Sequence, residues 1–289
     1  VPSEVLLLVL ASAVVHATWN LWTKQLGAGV RSAPLLWLLT AISSVAYAPF
    51  ALGVLAGGGW RPDPGSLALI AGSGAIHVGY FVLLLRGYRA GDLSLVYPLA
   101  RGTGPLLAVA GAVALLGERP TPLSVTGALL VATGVLVIAG RPLRSGARSA
   151  GPGVFYGLAT GAMIAVYTLW DGWSVKRAGI PPLVFYWAGE VVRVAVLTPF
   201  VLGARAELAG LWREHRVRLL GIALLSPLSY ILILLALRHG DVGHIAPARE
   251  VSILLGAWLG GRVLGEGDRR RRLVAAMAFA AGVAALALS

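Results

Sequence analysis

At 289 residues the chain is 57% hydrophobic and only 12% charged, with a mean hydropathy of +0.81, about half the share of charge that a soluble domain of this size carries. It contains no cysteine, which excludes disulfides, thiol catalysis and thiolate metal sites. The formal charge of +12 lies between apolar runs, where it suits membrane topology signals and argues against a nucleic-acid face. In lipid every backbone polar group must be satisfied within its own segment, so apolar runs of this length are helices; the alternating short strands of a membrane barrel are missing. Ten spans are predicted, at 4–23, 33–56, 66–86, 93–116, 121–140, 152–175, 182–203, 217–237, 243–264 and 271–288. The first is read as a span and not as a cleaved leader, since it lacks a basic start and opens with Glu4. Gly/Pro chemistry and charge make loops of the last two-thirds of 57–65, of 141–153 and of 265–272.

Span 1 sets His16, Trp19, Asn20 and Thr23 at i, i+3, i+4 and i+7, and span 6 repeats that spacing with Tyr167, Trp170, Asp171 and Ser174. An ionised Asp costs roughly 2.5–3.5 kcal/mol at a span centre, so such a stripe faces protein or a watery cavity and not lipid. The blander reading is a hydrogen-bonded patch between helices. Span 4 opens with Pro98-Leu99-Ala100-Arg101-Gly102-Thr103-Gly104-Pro105 and span 9 with Pro247-Ala248-Arg249-Glu250. Proline and glycine there predict helices broken early, with freed carbonyls for a ligand or ion. Arg101 and Arg249 lie only a turn or two inside, where snorkelling to the interface is an equal alternative. Span 7 carries Tyr186, Glu190 and Arg193, the last two spaced to pair. Tyr80, Tyr97 and Tyr230 add aromatic surface to a cavity lined by spans 1, 3, 4, 6, 7, 8 and 9. In it Arg101, Arg193 and Arg249 suit a carboxylate, and Asp171 and Glu190 an amine. Glu118 and Glu266 end their spans and are read as structural, and Gly157/Gly161 and Gly256/Gly260 as close helix packing.

The two halves share a pattern. Trp19-Asn20-Leu21-Trp22-Thr23 matches Trp170-Asp171-Gly172-Trp173-Ser174, Tyr80 falls on Tyr230, Arg101 on Arg249, and Leu116-Gly117-Glu118 on Leu264-Gly265-Glu266. Five spans per repeat is an odd number, so the fold class is an all-α polytopic membrane protein with ten transmembrane helices in two inverted five-helix repeats. The repeats are 1–140 and 154–289, joined by a linker at 141–153. Asn20 and Asp171 are then expected to point into one central cavity. Counting Lys and Arg in alternate connections gives sixteen on one side against five on the other. The richer side belongs in the cytoplasm, which leaves both termini periplasmic and sets the chain in the cytoplasmic (inner) membrane.

Each half thus closes on an apolar run into Leu-Gly-Glu followed by another span, and span 1 contains His16-Ala17-Thr18-Trp19-Asn20. On these residues the whole chain resembles the EamA branch of the drug/metabolite transporter superfamily. The resemblance implies secondary transport of a small metabolite, amino acid or drug, often outward, with the bilayer and a small-molecule substrate as partners and no cofactor. The family is similar to small proton-coupled exporters that place an essential glutamate in the first helix. Here span 1 has only the interfacial Glu4, with His16 or Asn20 at midspan, so a coupled proton would fall to Asp171, Glu190 or Glu250.

Other classes find less support. Of the five histidines, His16 and His77 lie in spans, His215 in a basic loop, and His239 and His244 flank a turn; no HExxH occurs, so no metal site is expected. There is no GxSxG elbow and no strand-borne phosphate loop. A membrane-embedded enzyme or scaffold without transport stays as the alternative from another class.

Overall fold

The computed structural model of the chain describes residues 2–24, 26, 32–91, 93–139, 150–255, 258 and 269–289. Among the described residues there is no strand. The helices are α1 (Ser3–Lys24), α2 (Ser32–Ala56), α3 (Pro64–Ala90), α4 (Leu93–Leu116), α5 (Pro122–Ala139), α6 (Ala150–Lys176), α7 (Pro182–Leu197), α8 (Arg205–His239), α9 (Val242–Ala248) and α10 (Arg269–Leu288). Seven of them, α1–α4 and α6–α8, are long and apolar enough to cross a membrane, and α5 and α10 contain shorter apolar helices. The outward side chains are apolar too, with Leu7, Val45, Phe50, Leu115 and Phe155 all exposed. A soluble protein would not leave so much apolar surface bare; a bilayer requires it.

Local chemistry sets the helix ends. Asp63 caps α3, accepting from the Gly65 and Ser66 amides at 2.9 and 3.2 Å, with Pro64 pre-setting the first turn. The hydrogen bonds from Ser66 hold the Asp63 carboxyl below its ordinary range. What the cap adds is therefore present above about pH 4 and fades as pH falls through the lowered value. α7 gives way to a 3₁₀ turn at Thr198–Phe200, where Pro199 cannot continue the ladder.

Two elements differ from expectation, and a third follows it. α8 starts at Arg205 and not near 217. Charge ended the apolar run there, but Ala, Leu, Glu and Arg are good helix formers and nothing breaks the helix. Its 35 residues span about 52 Å, longer than the roughly 30 Å hydrocarbon core, so its basic first turns extend beyond it. The break expected in span 4 does not form, since α4 is continuous from Leu93 to Leu116. Its glycines serve approach instead: a Cβ on Gly104 would stand 2.8 Å from Ile164 of α6, and one on Gly161 would strike Thr103. The break in span 9 is present. α9 stops at Ala248, Arg249 and Glu250 form a turn, and helix resumes over 251–255. Glu250, Ser252 and Ile253 donate three residues back, to Pro247, Arg249 and Glu250, in place of the regular four-residue ladder. Gly256/Gly260, Glu266 and most of the 141–153 linker lie outside the described residues.

The bundle packs α4 and α3 on α6, α1 and α2 on α8, α2 and α3 on α7, α5 on α10, and α9 against α4, α5 and α10. The α5–α10 crossing is backbone on backbone: a Cβ on Gly127 would meet the Gly282 carbonyl at 2.8 Å, and one on Gly282 the Gly127 carbonyl at 2.8 Å. Main chain cannot step aside as a side chain can, so Gly127→Val should cost about 1–3 kcal/mol. Its melting temperature should fall well below that of Gly53→Ala, whose Cβ meets nothing within 4 Å. Equal melting of the two would refute close packing at that crossing.

Candidate functional site

Burying an ion in the bundle is costly unless a partner or hydrogen bond compensates it. Arg101, Asp171, Glu190, Arg193 and Glu250 are nonetheless buried, with Arg249 nearly so. They come from α4, α6, α7 and the turn after α9, and α3 and α8 add His77, Tyr80 and Tyr230.

These side chains sort into three groups. In the first, Arg101 Nε lies 2.9 Å from Glu250 Oε2, and Arg249 Nε lies 3.7 Å from Oε1. Arg249 Nη2 also donates to the Tyr167 hydroxyl at 2.7 Å. The ion pairs are close but poorly aligned. Arg101 Nε, Arg249 Nη1 and both Glu250 oxygens are buried without a hydrogen-bond partner among the described residues. In the second, the Tyr230 hydroxyl donates to Asp171 Oδ2 at 2.6 Å, and His77 Nε2 stands 3.8 Å from the same oxygen. His77 Nδ1 lies 2.9 Å from the Ser73 carbonyl, which only accepts; this assigns the proton to Nδ1 and turns Nε2 toward Asp171. In the third, Arg193 Nη2 donates to Glu190 Oε1 at 2.5 Å, with the guanidinium 5.2 Å above the Tyr186 ring.

Rings join the groups. His77 stacks on Tyr167 with centroids 4.5 Å apart, and Tyr80, Tyr186 and Tyr230 contact it or one another at 5.6–6.2 Å. The rings thereby connect Asp171 and its partners with both guanidinium–carboxylate clusters.

Of the residues singled out by sequence, Tyr80, Arg101, Tyr167, Asp171, Tyr186, Glu190, Arg193, Tyr230, Arg249 and Glu250 are joined by these contacts. Tyr97 and His16 stand within electrostatic range of Arg101. Three others point elsewhere. Trp170 is 37% exposed and donates to the Leu69 carbonyl on the α3 side. Trp19 donates to Ser229 Oγ at 3.3 Å, and the Asn20 amide turns back to the His16 carbonyl at 2.8 Å. No described contact joins Asn20 to Asp171. Sequence spacing weighs His77 only as a metal ligand, although Ser73, His77 and Tyr80 share one face of α3, a pattern that could have marked it. Among the described residues no group of three or more His, Asp or Glu could hold a metal ion.

A second polar cluster closes one end of the bundle. Glu118 accepts from the Val242 and Gly243 amides at 2.8 and 2.9 Å, and Lys176 binds Asp241 at 2.7 Å and the Gly240 carbonyl at 3.0 Å. Together they fix the α8–α9 connection. A cavity of about 360 Å³ opens beside them, lined also by Arg119, Trp173 and Arg177.

Residues 4–140 match the model of the EamA-like transporter family. No curated protein matches the chain. One solved crystal structure, described only as that of a protein, is similar over 100% of this chain and 98% of its own, with a TM-score of 0.79 and 19% identity. At that identity the likeness is one of fold.

Proposed function

We propose, from the match of residues 4–140 to the EamA-like transporter family, that the chain is a secondary transporter of the cytoplasmic membrane. It moves a small metabolite, amino acid or drug-like solute by alternating access, in the export direction and coupled to protons. The observation that carries this reading is convergence. Ionisable and aromatic side chains from α3, α4, α6, α7, α8 and the α9 turn meet inside the bundle, where an uncompensated charge would be too costly to keep without a use.

Two inverted halves, 1–140 and 154–289, would relate several of the helix contacts, though not that of α4 with α6. Exchanging α1 with α6, α2 with α7, α3 with α8, α4 with α9 and α5 with α10 turns α1–α8 into α6–α3, α2–α8 into α7–α3, and α4–α5 into α9–α10, all of which pack. The α2–α7, α4–α9 and α5–α10 contacts map onto themselves. Trp22 lies against Gly221 and Trp170 against Gly72, a tryptophan on a glycine at both exchanged crossings. Such repeats move against each other around a midplane site.

Flux of labelled solutes into proteoliposomes under an imposed pH gradient tests the activity. Accumulation of at least one small solute is expected, and none across a panel of amino acids, organic acids and amines would overturn it. Orientation has its own test. Reporter fusions after residues 145 and 289 should report opposite sides, with 145 in the cytoplasm; a cytoplasmic C-terminus would reverse the assignment.

A further inference from the structure

We propose that Arg101 and Arg249 form the anion-binding element of the transport site, and that Glu250 is a built-in stand-in for the carboxylate of a small organic acid. This rests on the transport reading and gives it a substrate class. The two guanidiniums come one from each half, at positions the repeat makes equivalent, and they share a single carboxylate. Two positive charges against one leave the element short of an anion in a low-dielectric interior.

The bonding points the same way. A carboxylate satisfied by arginine makes two parallel, aligned hydrogen bonds at about 2.7–2.9 Å. Glu250 reaches that distance at one oxygen only, its other lies 3.7 Å from Arg249, and neither oxygen has an aligned donor among the described residues. Arg249 Nη1 is buried with no partner among the described residues, while Nη2 is spent on Tyr167. Glu250 also sits on the turn between α9 and the helix at 251–255, where three-residue bonds hold its main chain. Arg101 is followed by Gly102 and has no carboxylate of its own, so the stand-in belongs to the second half alone. Tyr80, Tyr97 and Tyr167 lie within electrostatic range of Arg101 and suit an acid with an apolar or aromatic body.

The test is equilibrium binding to the detergent-purified full chain at neutral pH, using benzoate, 3-phenylpropionate and acetate beside the isosteres benzamide and benzylamine. At least one acid should bind and its isosteres should not. Arg101→Gln and Arg249→Gln should each weaken it about tenfold or more, as expected for losing one charge-assisted contact. Glu250→Gln should tighten binding, because the internal competitor is gone. If Glu250→Gln does not fold, the acid-against-isostere comparison on the native chain and the two arginine variants still decide. Three results would overturn the inference: no acid bound at about 10 mM, where a millimolar Kd would be saturated, benzylamine preferred to benzoate, or acid binding untouched by both arginine variants. Acid binding without flux in proteoliposomes would sink the transport reading and leave the anion site standing. Flux of an amine without acid binding would do the reverse.

Discussion

Glu190→Gln and Arg193→Leu should each destabilise the purified protein by about 3–5 kcal/mol, and the double variant should recover most of that loss. The two side chains are each only 6% exposed and meet at 2.5 Å on successive turns of α7. Removing one partner leaves the other as a buried charge with nothing to neutralise it, whereas removing both leaves neutral groups. The neutral hydrogen bonds that hold membrane helices together are worth about 0.6–2 kcal/mol, so charge and not hydrogen bonding decides the size of the effect. Arg193→Leu also forfeits the contact with the Tyr186 ring, worth about 0.5–2 kcal/mol, and that part the double variant does not restore. Thermal denaturation of the three variants measures this directly. Single variants that melt like the native protein would show that the pair contributes nothing to stability. A double variant as weak as either single one would show that the site needs the charges for folding in some other way.

Much of the bundle could be read from sequence because lipid leaves few choices: a long apolar run must be a helix, and its interior charges must face protein. Where the reading slipped, the cause was local. The end of an apolar run says where the bilayer stops and not where the helix stops, so α8 ran on through Arg213, Arg216 and Arg218. The spacing of Tyr167, Trp170, Asp171 and Ser174 suggests one direction, but i+3 and i+4 stand about 100° apart around a helix. Tyr167 and Asp171 therefore face Tyr230 and Arg249, while Trp170 leans out over Gly72 of α3. Proline and glycine in α4 were ambiguous between breaking and packing, and only the neighbouring helix resolves which: Ile164 and Gly161 stand where side chains on 104 and 103 compete for room. The role of Glu118 as a structural group was legible from its depth, yet its partners were not, because the Val242 and Gly243 amides are 124 and 125 residues away.

Asp171→Asn should leave a folded protein that still binds its substrate and exchanges it without a pH gradient, but that no longer drives flux with one. Among the described residues three buried carboxylates could carry a coupled proton, and what protonation strands separates them. A proton on Glu190 would leave Arg193 uncompensated, and one on Glu250 would leave both Arg101 and Arg249 so. Among the described residues Asp171 has no guanidinium at ion-pair distance, and its neighbours include the Tyr230 hydroxyl, the Ser73 side chain and His77 Nε2. Its Oδ1 is buried with no hydrogen-bond partner among the described residues, so a protonated acid would have an oxygen to hold the proton. With His77 Nδ1–H committed to the Ser73 carbonyl, Nε2 can share that proton with Asp171 without changing the charge of the pair. Asparagine keeps the shape and an oxygen for Tyr230 to donate to, which makes misfolding a poor explanation of lost coupling. His77→Gln should shift the pH dependence of flux without abolishing it, since Asp171 would then hold the proton alone. The measurement is pH-driven uptake beside substrate binding and gradient-free exchange on the same purified variants. Full pH-driven flux in Asp171→Asn would remove Asp171 from the coupling role and pass it to Glu190 or Glu250, at the expense of stranding an arginine in each cycle.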